Sequence, residues 1–155
     1  MTGSDWKSDL DPLFNPQSLA LIGASETSYY GRAFYHNLKD FGYRGKIYPI
    51  NPNRRELFGI KCYPKVTEIP DPIDAFVMTI PANLVPATLE ECRQKQIKAG
   101  IIVSGGFAES PPEGKELQEK VTEIANAGEM RICGPNCFGL ANVHGKVAAI
   151  TGADV

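Results

Sequence analysis

Short, unbroken apolar runs recur along the chain, each closing on glycine, proline or asparagine, with apolar residues at helical spacing between them. The run SLALI closes on Gly23, Ala24 and Ser25. A strand with one wet face would alternate, so an unbroken run predicts a strand buried on both faces. Phe34, Leu38 and Phe41 then fall at i, i+4 and i+7, one face of a helix that Gly42 and Gly45 end. KIYPINP reads as a second strand closed by Asn51 and Pro52. The polar stretch NRRELFG, a short strand in IKCYP and the proline-rich connector KVTEIPDPI follow. DAFVMTIP is a third strand, and Leu84, Val85, Thr88, Leu89 and Cys92 line the next helix, with Asn83 as its cap and Pro86 in its first turn. AGIIVSGGF is a fourth strand, and Leu117, Val121, Ile124 and Ala125 mark a helix that ends at Gly128. MRICGPNCFG opens as a fifth strand, and KVAAIT reads as a last one.

Strand and helix alternate throughout. This predicts an α/β, Rossmann-like, doubly wound and mainly parallel sheet with helices on both faces. Residues 1–14 read as a loose leader, 15–150 as the domain, and 151–155 as the start of a linker to a following domain. In such sheets ligands sit at the carboxyl ends of the strands.

Composition narrows the classes. With 155 residues, 43% hydrophobic and 22% charged, the chain can bury the core of about one domain. A net charge of -2 gives no broad basic field for nucleic acid. No apolar run nears the roughly 20 residues of a membrane span, and the acidic start MTGSDWKSDLDPLF does not read as a signal peptide. The expected compartment is the cytoplasm. Cys62, Cys92, Cys133 and Cys137 lack the spacing of a zinc set, and reduced, partly buried thiols are expected; a reactive Cys137 among glycines has no supporting feature.

The chemistry gathers at the strand ends. They read Gly23, Ala24, Ser25; Asn51, Pro52, Asn53; Ile80, Pro81, Ala82; Ser104, Gly105, Gly106; and Gly134, Pro135, Asn136, Cys137. Small residues let a ligand approach the backbone, and helix-start N–H groups attract phosphate. A nicotinamide dinucleotide wants G-x-G-x-x-G after the first strand and an acid after the second. Here Ser25 replaces the middle glycine, the next glycine is Gly31, and the acid's place holds Asn51. Ser25 has a hydroxyl that can donate to a phosphate.

Taken together, DPLFNPQSLALIGAS, the Asn-Pro after the second strand, IPDPIDAFVMTIPANLVP, IIVSGGFAE and GPNCFG, in this order, resemble the CoA-binding domain of ADP-forming (NDP-forming) acyl-CoA synthetases. The same domain type opens the succinyl-CoA synthetase alpha subunit and precedes the catalytic part of some protein acetyltransferases. The resemblance spans about residues 12–145.

It implies coenzyme A as ligand. Gly23, Ala24 and Ser25, with Gly31 behind them, match the turn that holds the CoA phosphates. Ile80, Pro81 and Ala82 match the strand end that meets the adenosine and pantetheine region. Ser104, Gly105 and Gly106 match the loop that lines the thiol arm, and Gly134, Pro135, Asn136 and Cys137 match the turn near the reaction centre. Asn51 and Pro52 match the second strand's Asn-Pro. Where the family often carries a lysine just after it, this chain has Asn53, then Arg54 and Arg55. The arginines either replace that cation toward a phosphate or are solvated loop residues. Family members work through a phosphorylated histidine and an ATP-grasp domain. His36 and His144 match neither role, so no catalytic residue and no metal site is assigned. The implied partners are downstream ligase and ATP-grasp domains. Two alternatives stay open: a stand-alone or regulatory CoA-binding module, and, disfavoured by the two missing features, an NAD(P)-binding oxidoreductase domain.

Overall fold

The computed structural model describes residues 6–110 and 112–151. In chain order its elements are α1 (Trp6–Phe14), β1 (Ser18–Ile22), α2 (Tyr29–Asp40), β2 (Lys46–Ile50), β3 (Glu56–Leu57), β4 (Ile60–Lys61), β5 (Ala75–Met78), α3 (Val85–Gln94), β6 (Ala99–Ile102), α4 (Glu113–Ala127), β7 (Arg131–Cys133), β8 (Gly139–Asn142) and β9 (Val147–Ile150). Five strands form one parallel sheet in the order β2-β1-β5-β6-β7. Ser18 pairs with Lys46 and Ile22 with Ile50 on one side of β1; Leu19 pairs with Ala75 and Ile22 with Met78 on the other. The strand order therefore reverses at β1, which creates a crevice at the carboxyl ends of β1 and β5.

The unbroken apolar runs are split by the two-residue period of a strand. Leu19, Leu21, Ala75, Val77 and Ile101 point to one face, where they meet Leu13 of α1, Phe34 and Leu38 of α2, and Val147 and Ala149 of β9. Ala20, Ile22, Phe76, Met78 and Ile102 point to the other, against Val85, Leu89 and Cys92 of α3 and Val121 and Ala125 of α4. Both faces are covered, so both residues of each alternating pair are apolar. Gly100 lies opposite Phe76 on the neighbouring strand, and a Cβ there would come within 2.2 Å of the Phe76 ring.

Several expectations are corrected. The part of the leader that is described is a helix, α1: Leu13 is buried, and Asp9 accepts from Arg131 Nη2 at 2.8 Å. Residues 1–5 and 152–155 lie outside the described residues. The IKCYP strand pairs antiparallel with β3, across a two-residue turn in which Phe58 and Gly59 both have positive φ, and its Tyr63 forms a single parallel bridge to Ile50 at the end of β2. The final KVAAIT strand is likewise antiparallel, to β8, and lies outside the main sheet. Asn83 does not cap α3. Leu84 stands at the N-cap after a 3-10 turn over Ala82–Leu84, with no side-chain cap. Burial of Val85 and Leu89 contributes about 1.5–3 kcal/mol each, more than the roughly 1 kcal/mol of a cap, so packing sets where this helix starts.

The helix ends share one device. After α2, Gly42 N–H donates to Lys39 O and Tyr43 N–H to Leu38 O, with Gly42 at φ 91. The same pair of bonds closes α3 through Gln96 and Ile97, and α4 through Glu129 and Met130. There the left-handed position falls on side-chain-bearing residues, Gln96 at φ 63 and Glu129 at φ 53, while Gly128 has a right-handed φ of -91. A left-handed residue with a Cβ is strained relative to glycine. Gln96 is exposed. Gln96→Gly is therefore expected to raise stability by about 0.5–1 kcal/mol in a urea titration; a lower midpoint would show that the side chain stabilises the turn.

Candidate functional site

The carboxyl ends of β2, β1, β5, β6 and β7 lie side by side, and hydrogen bonds stitch them laterally. Asn51, just past β2, donates from Nδ2 to Ala24 O at 2.9 Å, and its Oδ1 accepts from Asn53 N–H at 2.9 Å. Thr79, just past β5, donates from Oγ1 toward Ile22 O at 3.2 Å and Gly23 O at 3.4 Å. Ser104, past β6, donates from Oγ to Ile80 O at 2.5 Å, and Ser104 O accepts from Asn136 N–H at 3.0 Å. All five predicted strand-end clusters thus fall on one edge.

Around the β1 turn, Gly23 has φ 87, and a Cβ on it would lie 2.8 Å from Thr79 Oγ1. Ala24 is buried, so it faces the edge through its backbone alone. Gly31 is buried in the first turn of α2, where a Cβ would lie 2.7 Å from Ser25 N and 2.8 Å from Gly23 O. Its role here is close packing of helix on turn. The Ser25 hydroxyl also braces its own turn. Its Oγ accepts from Thr27 N–H at 3.2 Å and Ser28 N–H at 3.0 Å, so these two amides are used internally. The first α2 residues, Tyr29, Tyr30 and Gly31, keep N–H groups with no carbonyl one turn before them inside the helix.

Beyond β2, Pro52, Asn53, Arg54 and Arg55 are exposed and line a cleft of about 350 Å³ together with Cys62 and Pro64. Neither arginine forms an ion pair among the described residues. The β3–β4 hairpin walls this side. Phe58 stacks on Tyr35 of α2 at 4.0 Å, and Phe58 N–H donates to Glu26 Oε1 at 2.9 Å.

At the β6 end, Gly105 and Asn136 are exposed, Ile80, Ala82, Ser104, Gly106 and Pro135 are partly exposed, and Pro81 is exposed. The Gly134–Pro135 peptide is cis. A Cβ on Gly105 would lie 3.2 Å from Asn136 Oδ1 and 3.4 Å from Glu109 Oε1. The Cys133 and Cys137 sulfurs stand 4.0 Å apart, both as free thiols. Burial pushes the Cys137 thiol up to about 11, so it is protonated at neutral pH and is a poor nucleophile. Among the described residues no group of His, Cys, Asp and Glu is arranged to hold a metal ion. No helix there is long and apolar enough to cross a membrane. His36 and His144 are exposed, and the His36 ring meets Phe58 of the hairpin edge-on at 5.9 Å.

Three residues that periodicity left unmarked take part: Thr79, Glu26 and Glu109. Thr79 carried a usable signal, a hydroxyl directly after an apolar strand. Glu26 and Glu109 act on backbone amides 32 and 3 positions away, and only the near one has a local pattern. A larger cleft, about 540 Å³, lies at the opposite end of the strands between Asp9, Lys98, Glu129 and Arg131. Its charges pair with one another, Arg131 with Asp9 and Lys98 with Glu129, so it presents no converging unspent groups.

Comparison with known proteins agrees with this geometry. A family model described as CoA binding domain matches residues 17–143. The chain is 46% identical over 139 residues to ADP-forming acetate–CoA ligase II of Archaeoglobus fulgidus, covering 88% of this chain and 20% of that protein. It is 44% identical over 148 residues to the alpha subunit of ADP-forming acetate–CoA ligase I of Pyrococcus furiosus, covering 92% and 32%. Among solved structures, the apo dinucleotide-forming acetyl-coenzyme A synthetase 1 of Candidatus Korarchaeum cryptofilum superposes with a TM-score of 0.88 at 38% identity, covering 94% of this chain and 32% of that one. The chain therefore spans between a fifth and a third of the length of these relatives.

The stitch at Asn51 gives a direct test. Aspartate at this place can still accept from Asn53 N–H but cannot donate to Ala24 O. Asn51→Asp is expected to destabilise the fold by about 1–3 kcal/mol, read from urea unfolding at pH 7. An unchanged midpoint would mean that the strand ends hold together without it.

Proposed function

This chain belongs to the CoA binding domain family, and we propose that it holds coenzyme A along the carboxyl edge of its sheet as the CoA-positioning part of an ADP-forming acyl-CoA synthetase. The observation that carries this is Asn51. The residue standing where a nicotinamide-binding sheet needs an acid is an amide, and that amide is already spent between Ala24 O and Asn53 N–H. No carboxylate is left there for ribose hydroxyls, while the small-residue edge and the helix start beside it suit a diphosphate.

In this reading the diphosphate lies over Gly23, Ala24 and Ser25 toward the first N–H groups of α2. Gly31 lets the helix come close, and the Ser25 hydroxyl shapes the turn. Asn53, Arg54 and Arg55 supply the cation at the β2 end, where the arginines' freedom from ion pairs supports a phosphate partner. The pantetheine arm passes Ile80, Pro81 and Ala82 and ends between Ser104, Gly105, Gly106, Pro135 and Asn136. The chain contributes orientation, which converts an encounter into a near-attack arrangement. Ligase and ATP-grasp domains elsewhere in the full assembly make the acyl phosphate that the CoA thiol attacks.

Titration calorimetry on the purified chain should show CoA binding, with NADH and NADPH weaker by about tenfold or more. Gly105 is exposed and outside the positive-φ region, so Gly105→Val leaves the fold intact by circular dichroism while its methyl groups crowd Asn136 and block the arm. NADH binding as tight as CoA, or full CoA affinity in Gly105→Val, would overturn the assignment.

Reversing both arginines tests the other end. Arg54→Glu/Arg55→Glu should weaken CoA by more than about tenfold at low salt, and by less as salt rises. Unchanged affinity would make them solvated loop residues.

A further inference from the structure

Resting on the CoA reading, we propose that Glu109 is a specificity-determining residue of the same site: its carboxylate turns away acyl groups bearing a second negative charge, so the site takes monocarboxylic acyl thioesters over dicarboxylic ones.

The loop after β6 would otherwise be an anion site. Glycines and successive backbone N–H groups in a tight turn form a concavity that suits an oxyanion. Here the molecule fills it with its own carboxylate. Glu109 Oε1 accepts from Gly106 N–H at 2.6 Å and Phe107 N–H at 3.1 Å. The next amide, Ala108 N–H, donates to Gln118 Oε1 at 3.2 Å. A distal carboxylate arriving on an acyl chain finds these donors taken.

The negative charge also stays. The Phe107 and Gly106 N–H groups hold the Glu109 carboxyl below the usual carboxylate range, so it is ionised at neutral pH. No lysine or arginine forms an ion pair with it among the described residues. Its oxygen borders the same space as the candidate thiol end, because a Cβ on Gly105 would lie 3.4 Å from Oε1 and 3.2 Å from Asn136 Oδ1. An acyl group on the thiol therefore meets a carboxylate and a neutral amide. An uncharged acyl tail loses nothing there, whereas a second carboxylate is repelled with no donor to compensate.

The test compares acetyl-CoA with succinyl-CoA by calorimetry on the full chain and on Glu109→Gln. Glutamine keeps an oxygen that accepts from both amides, so it removes the charge and preserves the loop brace. The wild-type chain should bind acetyl-CoA tighter by about fivefold at low salt, with the ratio shrinking as salt shortens the screening length. In Glu109→Gln the ratio should fall below about twofold at either salt. Glu109→Ala loses charge and brace together; it should weaken both thioesters and still lose the preference. A wild-type ratio near one, or a ratio that survives in Glu109→Gln, overturns the role of Glu109 while CoA binding stands. Failure of CoA and both thioesters to bind the wild-type chain overturns the underlying reading, and this inference with it.

Discussion

The lateral stitching of the strand ends is the interaction on which the rest depends. Where a parallel ladder stops, its last carbonyls lose their partners, and a bare row of acceptors would repel an anionic ligand. Thr79, Asn51, Ser104 and Asn136 supply donors to the Gly23, Ala24, Ile80 and Ser104 carbonyls, and the Thr79 hydroxyl adds to the bond its own N–H already makes to Ile22 O. Each bond is worth only about 1 kcal/mol net, but an unpaired acceptor in this partly buried row costs more than its bond returns. The stitched edge is therefore both stable and depleted of exposed acceptors.

That edge is held in register from behind. Two apolar layers grip the sheet, one through Phe34, Leu38, Leu21 and Val77, the other through Phe76, Met78, Leu89 and Phe107. The helix that starts at the site, α2, is fixed at both ends. Gly31 seats it on the β1 turn, and Gly42 closes it before β2. Each anchor needs a missing Cβ for a different reason: contact at Gly31, backbone hand at Gly42.

Charge is then distributed unevenly along the edge. Two arginines with no ion pair among the described residues stand at the β2 end, and an ionised glutamate stands at the β6 end. By strand spacing these ends are separated by about 14 Å. A ligand with phosphates at one end and an uncharged thiol arm at the other suits that polarity in one direction only. Backbone amides are used internally at both ends: Ser25 takes two just before α2, and Glu109 takes two at the far loop.

The sequence by itself determined the layered α/β class, the five parallel strands and the clustering of small residues at their ends. These follow from local rules, since a strand buried on both faces must be apolar throughout and a tight turn must be glycine-rich. It also marked the Asn51 position as wrong for a nicotinamide ligand. Other features were decided only in three dimensions. That 6–14 is a packed helix depends on Leu13 and Asp9 finding β-sheet and Arg131 partners far along the chain. That Gly31 packs while Ser25 caps depends on where α2 lands. The part of Glu109 depends on where the β6 loop ends up, because its carboxylate bonds locally to two amides of its own loop while Asn136 of a distant turn is brought up beside it. Periodicity records which side of an element is apolar; it carries no record of which donor meets which acceptor once the elements are stacked. That pairing is a property of the assembled edge, where residues distant in sequence become neighbours.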